Sequence, residues 1–142
     1  MKQSTFIFLI LLLTSCSGEK ARLDLLESEL RLTLPKNFET IENSTEGLND
    51  YEINVDLKFD KKGIQELKNQ IEKSKYFEWS NIDVLSKYPE KETIVKRDTT
   101  INGIWKNCMN GYRFEYYGDS SEPISAKIDT IKLTLEFNFV HF

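Results

Sequence analysis

Strict alternation of apolar and polar residues in two stretches constrains the fold of this chain more than any other feature. From Tyr51 to Phe59, an apolar side chain occupies every second position, with Glu, Asn, Asp and Lys between them. The stretch from Ile131 to Phe139 repeats the pattern and is the strongest strand signal in the chain. Because successive side chains of a strand point to opposite faces, both stretches predict strands with one buried and one solvated face. The chain must therefore build a sheet whose apolar face is covered.

Apolar residues at helical spacing predict what covers that face. They recur in two stretches, Leu23, Leu26 and Leu30 and then Ile64, Leu67 and Ile71. Pro35 disfavours helical backbone at the residue before it, so the first helix ends near residue 34. Asp60 is placed to cap the second helix. Residues 81–88 predict one or two further helical turns, and residues 86–100 are charged and predict mostly loop.

The remaining segments predict loops and shorter strands. Residues 37–42 favour a short strand, and residues 43–50 favour a loop by composition. Residues 118–123 favour a turn or loop. Residues 124–128 favour a strand that continues towards Ile131, with a bulge near Asp129 and Thr130 where the alternation changes phase.

The dipeptide Asn-Gly occurs at 102–103 and at 110–111, and it favours two-residue hairpin turns. A turn at 110–111 would pair Met109 with Tyr112 and Lys106 with Glu115. One hairpin face then carries the apolar residues Met109, Trp105, Tyr112, Phe114 and Tyr116. The same test at 102–103 places a mostly polar strand beside Trp105, as expected for a sheet edge.

Together these elements predict an α+β fold. We expect an antiparallel sheet of four to six strands with one or two helices packed on one face. No alternating series of strands and helices supports a parallel, doubly wound sheet.

Leu13-Thr14-Ser15-Cys16 follows an apolar run from Phe6 to Leu13, which itself follows the single charge of Lys2. The run is too short to span a hydrocarbon core, which needs about 20 residues, and the arrangement is typical of a signal peptide. The four residues resemble the lipobox of bacterial lipoproteins at every position. The resemblance covers residues 1–16, and the chain as a whole looks like the small uncharacterised envelope lipoproteins of Gram-negative bacteria.

The resemblance implies cleavage before Cys16, lipid on the Cys16 thiol and an acylated new N-terminus. We therefore expect residues 1–15 to be the signal peptide, residues 16–22 the lipidated N-terminus and tether, and residues 23–142 a single α+β domain. Ser17 is not the Asp that enteric bacteria read as inner-membrane retention. The expected location is the cell envelope, on the periplasmic face of the outer membrane by default, with surface display left open.

Amino-acid composition limits the classes of partner that this chain is expected to bind. The chain has 19 basic and 23 acidic residues, a formal net charge of −4 and no basic run, which disfavours nucleic acid. With Cys16 lipidated, Cys108 has no partner for an intrachain disulfide, and we expect it to be a buried small apolar residue. His141, the only histidine, is expected at the rim of the core.

No sequence motif predicts a catalytic, metal-binding or cofactor-binding site. Clusters with metal-ligand spacing, Gly-rich phosphate loops and the nucleophile elbow are all missing, so we expect no metal, no cofactor and no catalytic residue. We expect a lipid-anchored envelope module that binds a partner, such as an immunity-type lipoprotein or an accessory subunit. Two alternatives stay open: a small periplasmic hydrolase with carboxylates such as Glu115 or Glu136 converging across the sheet, and a carrier of an apolar ligand.

The aromatic residues supply one further hypothesis. Most are expected in the core, beneath the helices. A partner patch could instead form from exposed aromatic side chains, since Trp and Tyr dominate binding hot spots. The candidates are Tyr76, Phe77, Trp79, Tyr117 and Phe142.

Overall fold

A computed structural model of the protein describes residues 18–79 and 102–142. Within these ranges it contains two helices and seven strands. The helices are α1 (18–30) and α2 (Lys61–Lys73). The strands are β1 (Phe38–Gly47), β2 (Tyr51–Phe59), β3 (Phe77–Glu78), β4 (Gly103–Cys108), β5 (Gly111–Tyr116), β6 (Ile124–Asp129) and β7 (Thr134–His141).

All seven strands belong to one sheet, in the order β1-β2-β7-β6-β5-β4-β3. Every neighbouring pair is antiparallel except β3 and β4, which are parallel. The chain builds one hairpin (β1, β2), crosses to the far edge through α2 and β3, and returns as a meander from β4 to β7. The predicted α+β class is confirmed, and the sheet has more strands than the expected four to six.

Both helices lie on one face of the sheet, which we call the inner face. Leu26 and Leu30 of α1 and Leu67 of α2 are fully buried in the same core as the inward side chains of the strands. The indole Nε1 of Trp105 donates to the Leu30 carbonyl at 3.1 Å, which joins α1 to β4. The Tyr112 hydroxyl donates to a Glu72 carboxylate oxygen at 2.6 Å, which joins α2 to β5.

The sequence pattern locates β2 and α2 well. α1 ends at residue 30 and not near residue 34 as predicted, because Arg31 adopts a left-handed φ of 56°. In β2 the odd-numbered positions from Ile53 to Phe59 are buried, as the alternation predicts. Asp60 is the N-cap of α2, and its Oδ1 accepts the backbone N–H of Gly63 at 2.7 Å. α1 begins at residue 18, within the segment of residues 16–22 that was expected to be the lipidated N-terminus and tether.

The predicted loop over residues 43–50 is wrong in its first half, because β1 continues to Gly47. Its residues pair with β2 from Phe38 opposite Phe59 to Gly47 opposite Tyr51, with one register shift between Thr40 and Glu42. Polar composition suggested a loop here. However, β1 is an edge strand, and an edge strand tolerates polar and charged side chains on both faces.

The bulge predicted near Asp129 is a turn between two antiparallel strands, so β7 begins at Thr134 and not at Ile131. Asp129 pairs with Thr134, and the chain reverses through residues 130–133. The Asp129 carboxylate accepts the backbone N–H groups of Ile131 at 2.9 Å and Lys132 at 2.8 Å. Leu133 completes the turn with a φ of 62°. Side-chain hydrogen bonds of Asp favour such turns and here override the alternation.

The β4–β5 hairpin forms one residue earlier than predicted, with Met109 and Asn110 in the turn. Cys108 pairs with Gly111, and Lys106 lies opposite Arg113 instead of Glu115. The strand residues stay on their predicted faces, so Trp105, Tyr112 and Phe114 are buried as expected. Met109 was expected on the same apolar face, but it lies in the turn and is exposed.

The hairpin considered at 102–103 is not formed beside Trp105, because Phe77 of β3 takes the place opposite Trp105 on that side. The strand that it would require before residue 102 lies outside the described residues. The helical turns expected over 81–88 and the loop expected over 86–100 also lie outside them.

Candidate functional site

The second face of the sheet, which we call the outer face, is polar. Neither helix covers it, and no other helix or strand of residues 18–79 and 102–142 does. It consists of the outward-facing residues of the strands, which are mostly hydrophilic, with apolar exceptions such as Ile104 and Val140. The outer face is therefore the candidate site, because its side chains are not required for the core.

One cross-strand row of the outer face separates positive from negative charge. The pairing registers place one residue of each strand in this row. In strand order from β1 to β3, it reads Glu42, Asp56, Glu136, Lys127, Arg113, Lys106 and Glu78. An acidic half of three neighbouring carboxylates thus meets a basic half of three neighbouring cations at the boundary between β7 and β6.

The acidic half comprises Glu42, Asp56 and Glu136. Partial burial raises the pKa of Asp56, and the negative charges of Glu136 and Glu42 raise it further. Like charges directly opposite each other in a sheet are destabilising. The isolated domain therefore carries an unfavourable concentration of negative charge on β1, β2 and β7.

The basic half comprises Lys127, Arg113 and Lys106. Lys106 forms an ion pair with Glu115, which is diagonal to it across the hairpin. Partial burial lowers the pKa of Lys106, but the hydrogen bond to Glu115 and nearby negative charge outweigh this and raise it. Lys127 Nζ lies 3.9 Å from the carboxylate of Asp129, and the Arg113 side chain is exposed. Arg113 also interacts electrostatically with Glu115, so each of the three cations has an acidic neighbour outside the row.

A row of amides and hydroxyls runs beside the charged row. Asn138 is its centre, with Asn54 and Ser125 as its cross-strand neighbours. The Asn138 amide donates to Asn54 Oδ1 at 2.9 Å and to the carboxylate of Glu52. Together the two rows line a shallow depression of about 360 Å³ over β2, β7, β6 and β5. The centre of the outer face is therefore polar, shallow and held in position by paired strands.

The five aromatic residues predicted as a partner patch do not form one surface. Phe77 lies on β3, and its ring packs edge-on against Tyr112 of the core at 5.8 Å. Trp79 is 69% exposed and contacts Phe77 at the β3 edge. Tyr76 lies beneath the Arg31 guanidinium, whose carbon is 5.3 Å from the ring centroid.

The other two members of that patch lie elsewhere. Phe142 follows β7, is 68% exposed, and donates its backbone N–H to Ser121. Tyr117 follows β5 and donates its backbone N–H to Asn102. Residue exposure cannot be derived from aromatic spacing alone, and sheet order separates these positions.

The remaining candidates have ordinary surroundings. His141 is partly exposed at the sheet end, where it stacks on Tyr51 at 5.0 Å and contacts the Glu122 carboxylate at 2.8 Å. Cys108 is a free thiol and is partly exposed on the outer face, not buried as expected, because the earlier turn leaves it at the end of β4. Cys16 lies outside the described residues.

The carboxylates considered for a hydrolase do not converge. Glu115 lies on β5 and Glu136 on β7, with β6 between them. Partial burial raises the pKa of Glu115, but its hydrogen bond and ion pair with Lys106 outweigh this and lower it. Sequence reasoning missed Asp56 as the carboxylate opposite Glu136, because their pairing depends on which strands are neighbours.

Within residues 18–79 and 102–142, no group of three or more His, Cys, Asp or Glu side chains is arranged to hold a metal ion. In the same part of the chain, no helix has the length and apolar character needed to cross a membrane.

Comparison with known proteins finds no matching family model, no matching curated protein and no matching solved structure.

Proposed function

We propose that this chain is a lipid-anchored module of the bacterial cell envelope that binds a partner through the outer face of its sheet, without catalysis. The observation that carries the proposal is the row in which three carboxylates adjoin three cations on a face that neither helix covers. Like charges on neighbouring strands repel each other, and complementary charge that docks against them would offset this repulsion.

The anchor rests on Leu13-Thr14-Ser15-Cys16. In a Gram-negative host, the chain should be labelled by radioactive palmitate and processed to a shorter form. Cys16→Ser should abolish both, because the thiol is the acylation site, whereas Cys108→Ser should leave both unchanged. Normal processing of the Cys16→Ser chain would contradict the anchor and the envelope location.

The binding surface can be tested by photo-cross-linking in intact envelopes. A photoreactive phenylalanine analogue at Ser125, which is exposed on β6, should give a defined adduct. The same analogue at Gln65, which is exposed on α2 on the opposite side of the domain, is the matched control and should give none. Adducts from Gln65 alone, or from neither position, would contradict binding through the outer face.

A second candidate, a small hydrolase of envelope polysaccharide, draws support from one pair of residues. Asp56 and Glu136 lie directly opposite each other, and the pKa of Asp56 is raised by burial and by the neighbouring charges of Glu136 and Glu42, as suits a proton donor. Asp56→Asn and Glu136→Gln should each abolish release of reducing sugars from purified envelope polysaccharide. Equal release by the parent and both variants would exclude this pair as the acid and base.

The third possibility, a carrier of an apolar ligand, needs a cavity between helices and sheet. In the described part of the chain, that space is occupied by fully buried side chains such as Leu26, Leu67 and Leu135. We therefore do not extend the proposal to a carrier.

A further inference from the structure

The order of charges along the outer face is antisymmetric about its centre. From the boundary between β7 and β6, the acidic half runs outwards as Glu136, Asp56 and Glu42. In the opposite direction, the basic half runs outwards as Lys127, Arg113 and Lys106. Over these three steps, each charge on one side has the opposite charge at the equal step on the other side. Glu78 on β3 is a fourth step on the basic side and has no counterpart, because β1 is the last strand on the acidic side.

We propose that the outer face of this chain binds the outer face of a second copy. The two copies are related by a two-fold axis that lies in the plane of contact, above the boundary between β7 and β6 and parallel to the strands. The inference rests on the proposed function and names the partner that the outer face selects. A two-fold axis brings the same patch of both copies together, so the patch must complement itself. The charged row meets this condition.

The axis sets three pairs of contacts between the copies. Glu136 faces the partner's Lys127, Asp56 faces the partner's Arg113, and Glu42 faces the partner's Lys106. The reciprocal contacts double each pair. Sheets that pack face to face keep their strands within about 30° of each other, which keeps both rows aligned near the axis.

The arrangement of like charges within each copy favours these contacts with the partner. Asp56 lies between two other carboxylates, and Arg113 lies between two lysines. Docking adds opposite charges from the partner, which offset the repulsion between these like-charged neighbours. Both helices lie on the inner face, so neither obstructs the approach of a second sheet.

Charge complementarity also disfavours other occupants. A uniform polyanion would meet the acidic half, and a uniform polycation would meet the basic half, so each would be repelled by half of the row. A second copy presents the required order of charges without any further component. Nucleic acid and uniformly charged polysaccharide are therefore poorer partners for the outer face.

The expected dimer is weak and sensitive to salt. Six strands at about 4.8 Å spacing give a row about 24 Å long, and the strands extend about 20 Å in the other direction. This footprint is at the small end of specific interfaces, which bury about 800 Å² per partner. Confinement of both copies to one membrane would raise their effective concentration and favour association.

The test uses the lipidated chain in density-matched detergent, analysed by sedimentation. The parent should dimerise reversibly, and raising salt from about 0.05 M to about 0.5 M should weaken association, because screening acts on the charged row. Arg113→Glu with Lys127→Glu makes the row acidic, and Asp56→Lys with Glu136→Lys makes it basic. Each double variant alone should associate at least about tenfold more weakly than the parent.

An equimolar mixture of the two double variants should restore association to within about threefold of the parent, because an acidic row complements a basic one. The control Lys61→Glu with Lys62→Glu makes on α2 the same change of net charge as Arg113→Glu with Lys127→Glu, and it should dimerise like the parent. Thermal melting of each variant checks its fold, and the mixture separates a charge effect from misfolding, since misfolded chains would not recover.

Three results would overturn the inference: a parent that is monomeric at all concentrations, dimers that survive both reversals, or a mixture that does not associate. Cross-linking from Ser125 between tagged and untagged copies separates this inference from the proposed function. Adducts joining two copies support both. Adducts with another protein would contradict binding of a second copy but would agree with the proposed function. Adducts within a single chain would contradict both.

Discussion

Gly111 shows how backbone crowding at one position overrides a turn signal. Its φ is 148°, and a Cβ placed there would lie 2.0 Å from the carbonyl oxygen of Ile128 on β6. The Asn-Gly pair suggested that this glycine forms the hairpin turn. Instead, Gly111 lets β6 approach closely, and the turn moves to Met109 and Asn110. Such an approach depends on a neighbouring strand and has no local sequence signal.

Gly111→Ala should lower the free energy of unfolding by about 1–3 kcal/mol, because the new Cβ collides with backbone and the φ is strained. Gly18→Ala is the control. Its Cβ would meet only Arg22 at 3.4 Å, so it should be neutral or stabilise α1 by about 0.5 kcal/mol. Chemical denaturation of the parent and both variants provides the comparison. Equal losses at both positions would contradict the crowding at Gly111.

Asp56 and Asp129 should contribute to the pH dependence of the free energy of unfolding with opposite signs. The pKa of Asp56 is raised above its ordinary value of 3.8 by burial and by the charges of Glu136 and Glu42. The folded state therefore holds this proton more readily, and ionisation destabilises the fold as pH rises. Asp56→Asn should be more stable than the parent at neutral pH by about 0.5 kcal/mol. The difference should vanish below the ordinary pKa.

Asp129→Asn is the counterpart. The backbone N–H of Lys132 lowers the pKa of Asp129, and the N–H of Ile131 adds to this. Its contribution is present above the ordinary value of 3.8 and is lost as pH falls through the lowered pKa. Asp129→Asn should therefore be less stable than the parent at neutral pH. Melting curves from pH 2 to 8 check both signs, and parallel curves for the two variants would contradict them.

At the scale of elements, periodicity located those parts whose burial depends on their own sequence. α1, β2 and α2 each carry one apolar face, so helical or alternating spacing defines them without knowledge of their neighbours. The bounds of β1 and β7 could not be derived in this way. The edge position of β1 tolerates polar residues, and the carboxylate of Asp129 ends the alternation before Thr134.

Asp60→Ala should destabilise α2 by about 1 kcal/mol, because the Gly63 N–H loses its acceptor at 2.7 Å. Lys61→Ala, one position later and exposed, should change the free energy of unfolding by less than about 0.5 kcal/mol. Urea denaturation checks the pair. If the two substitutions had the same effect, the cap would not contribute to the helix.

At the scale of the whole molecule, the helices and the sheet form two layers joined through buried side chains and a few hydrogen bonds. The fold class followed from the sequence, but the charged row did not. Asn138 and Asn54 are 84 positions apart, and only the sheet order makes β2 and β7 neighbours. Each strand's outward residues were predictable, but the alignment of those residues across strands was not.

Trp105→Phe should weaken the packing of the helices against the sheet. Trp105 is 1% exposed and donates to the Leu30 carbonyl, so the substitution leaves a cavity and an unpaired acceptor. We expect a loss of about 1–3 kcal/mol. Trp79→Phe, at a site that is 69% exposed, should change stability by less than about 0.5 kcal/mol. Tryptophan fluorescence during denaturation reports both, and a neutral Trp105→Phe would contradict the role of this contact.

The position of β7 between β2 and β6 has a consequence for how the protein is made. While the ribosome is still synthesising residues before 134, β2 and β6 each lack the strand that belongs between them. A partly made chain therefore exposes two unpaired strand edges and cannot complete its sheet. The sheet should therefore become stable only after residues 134–141 have been synthesised, late in translation.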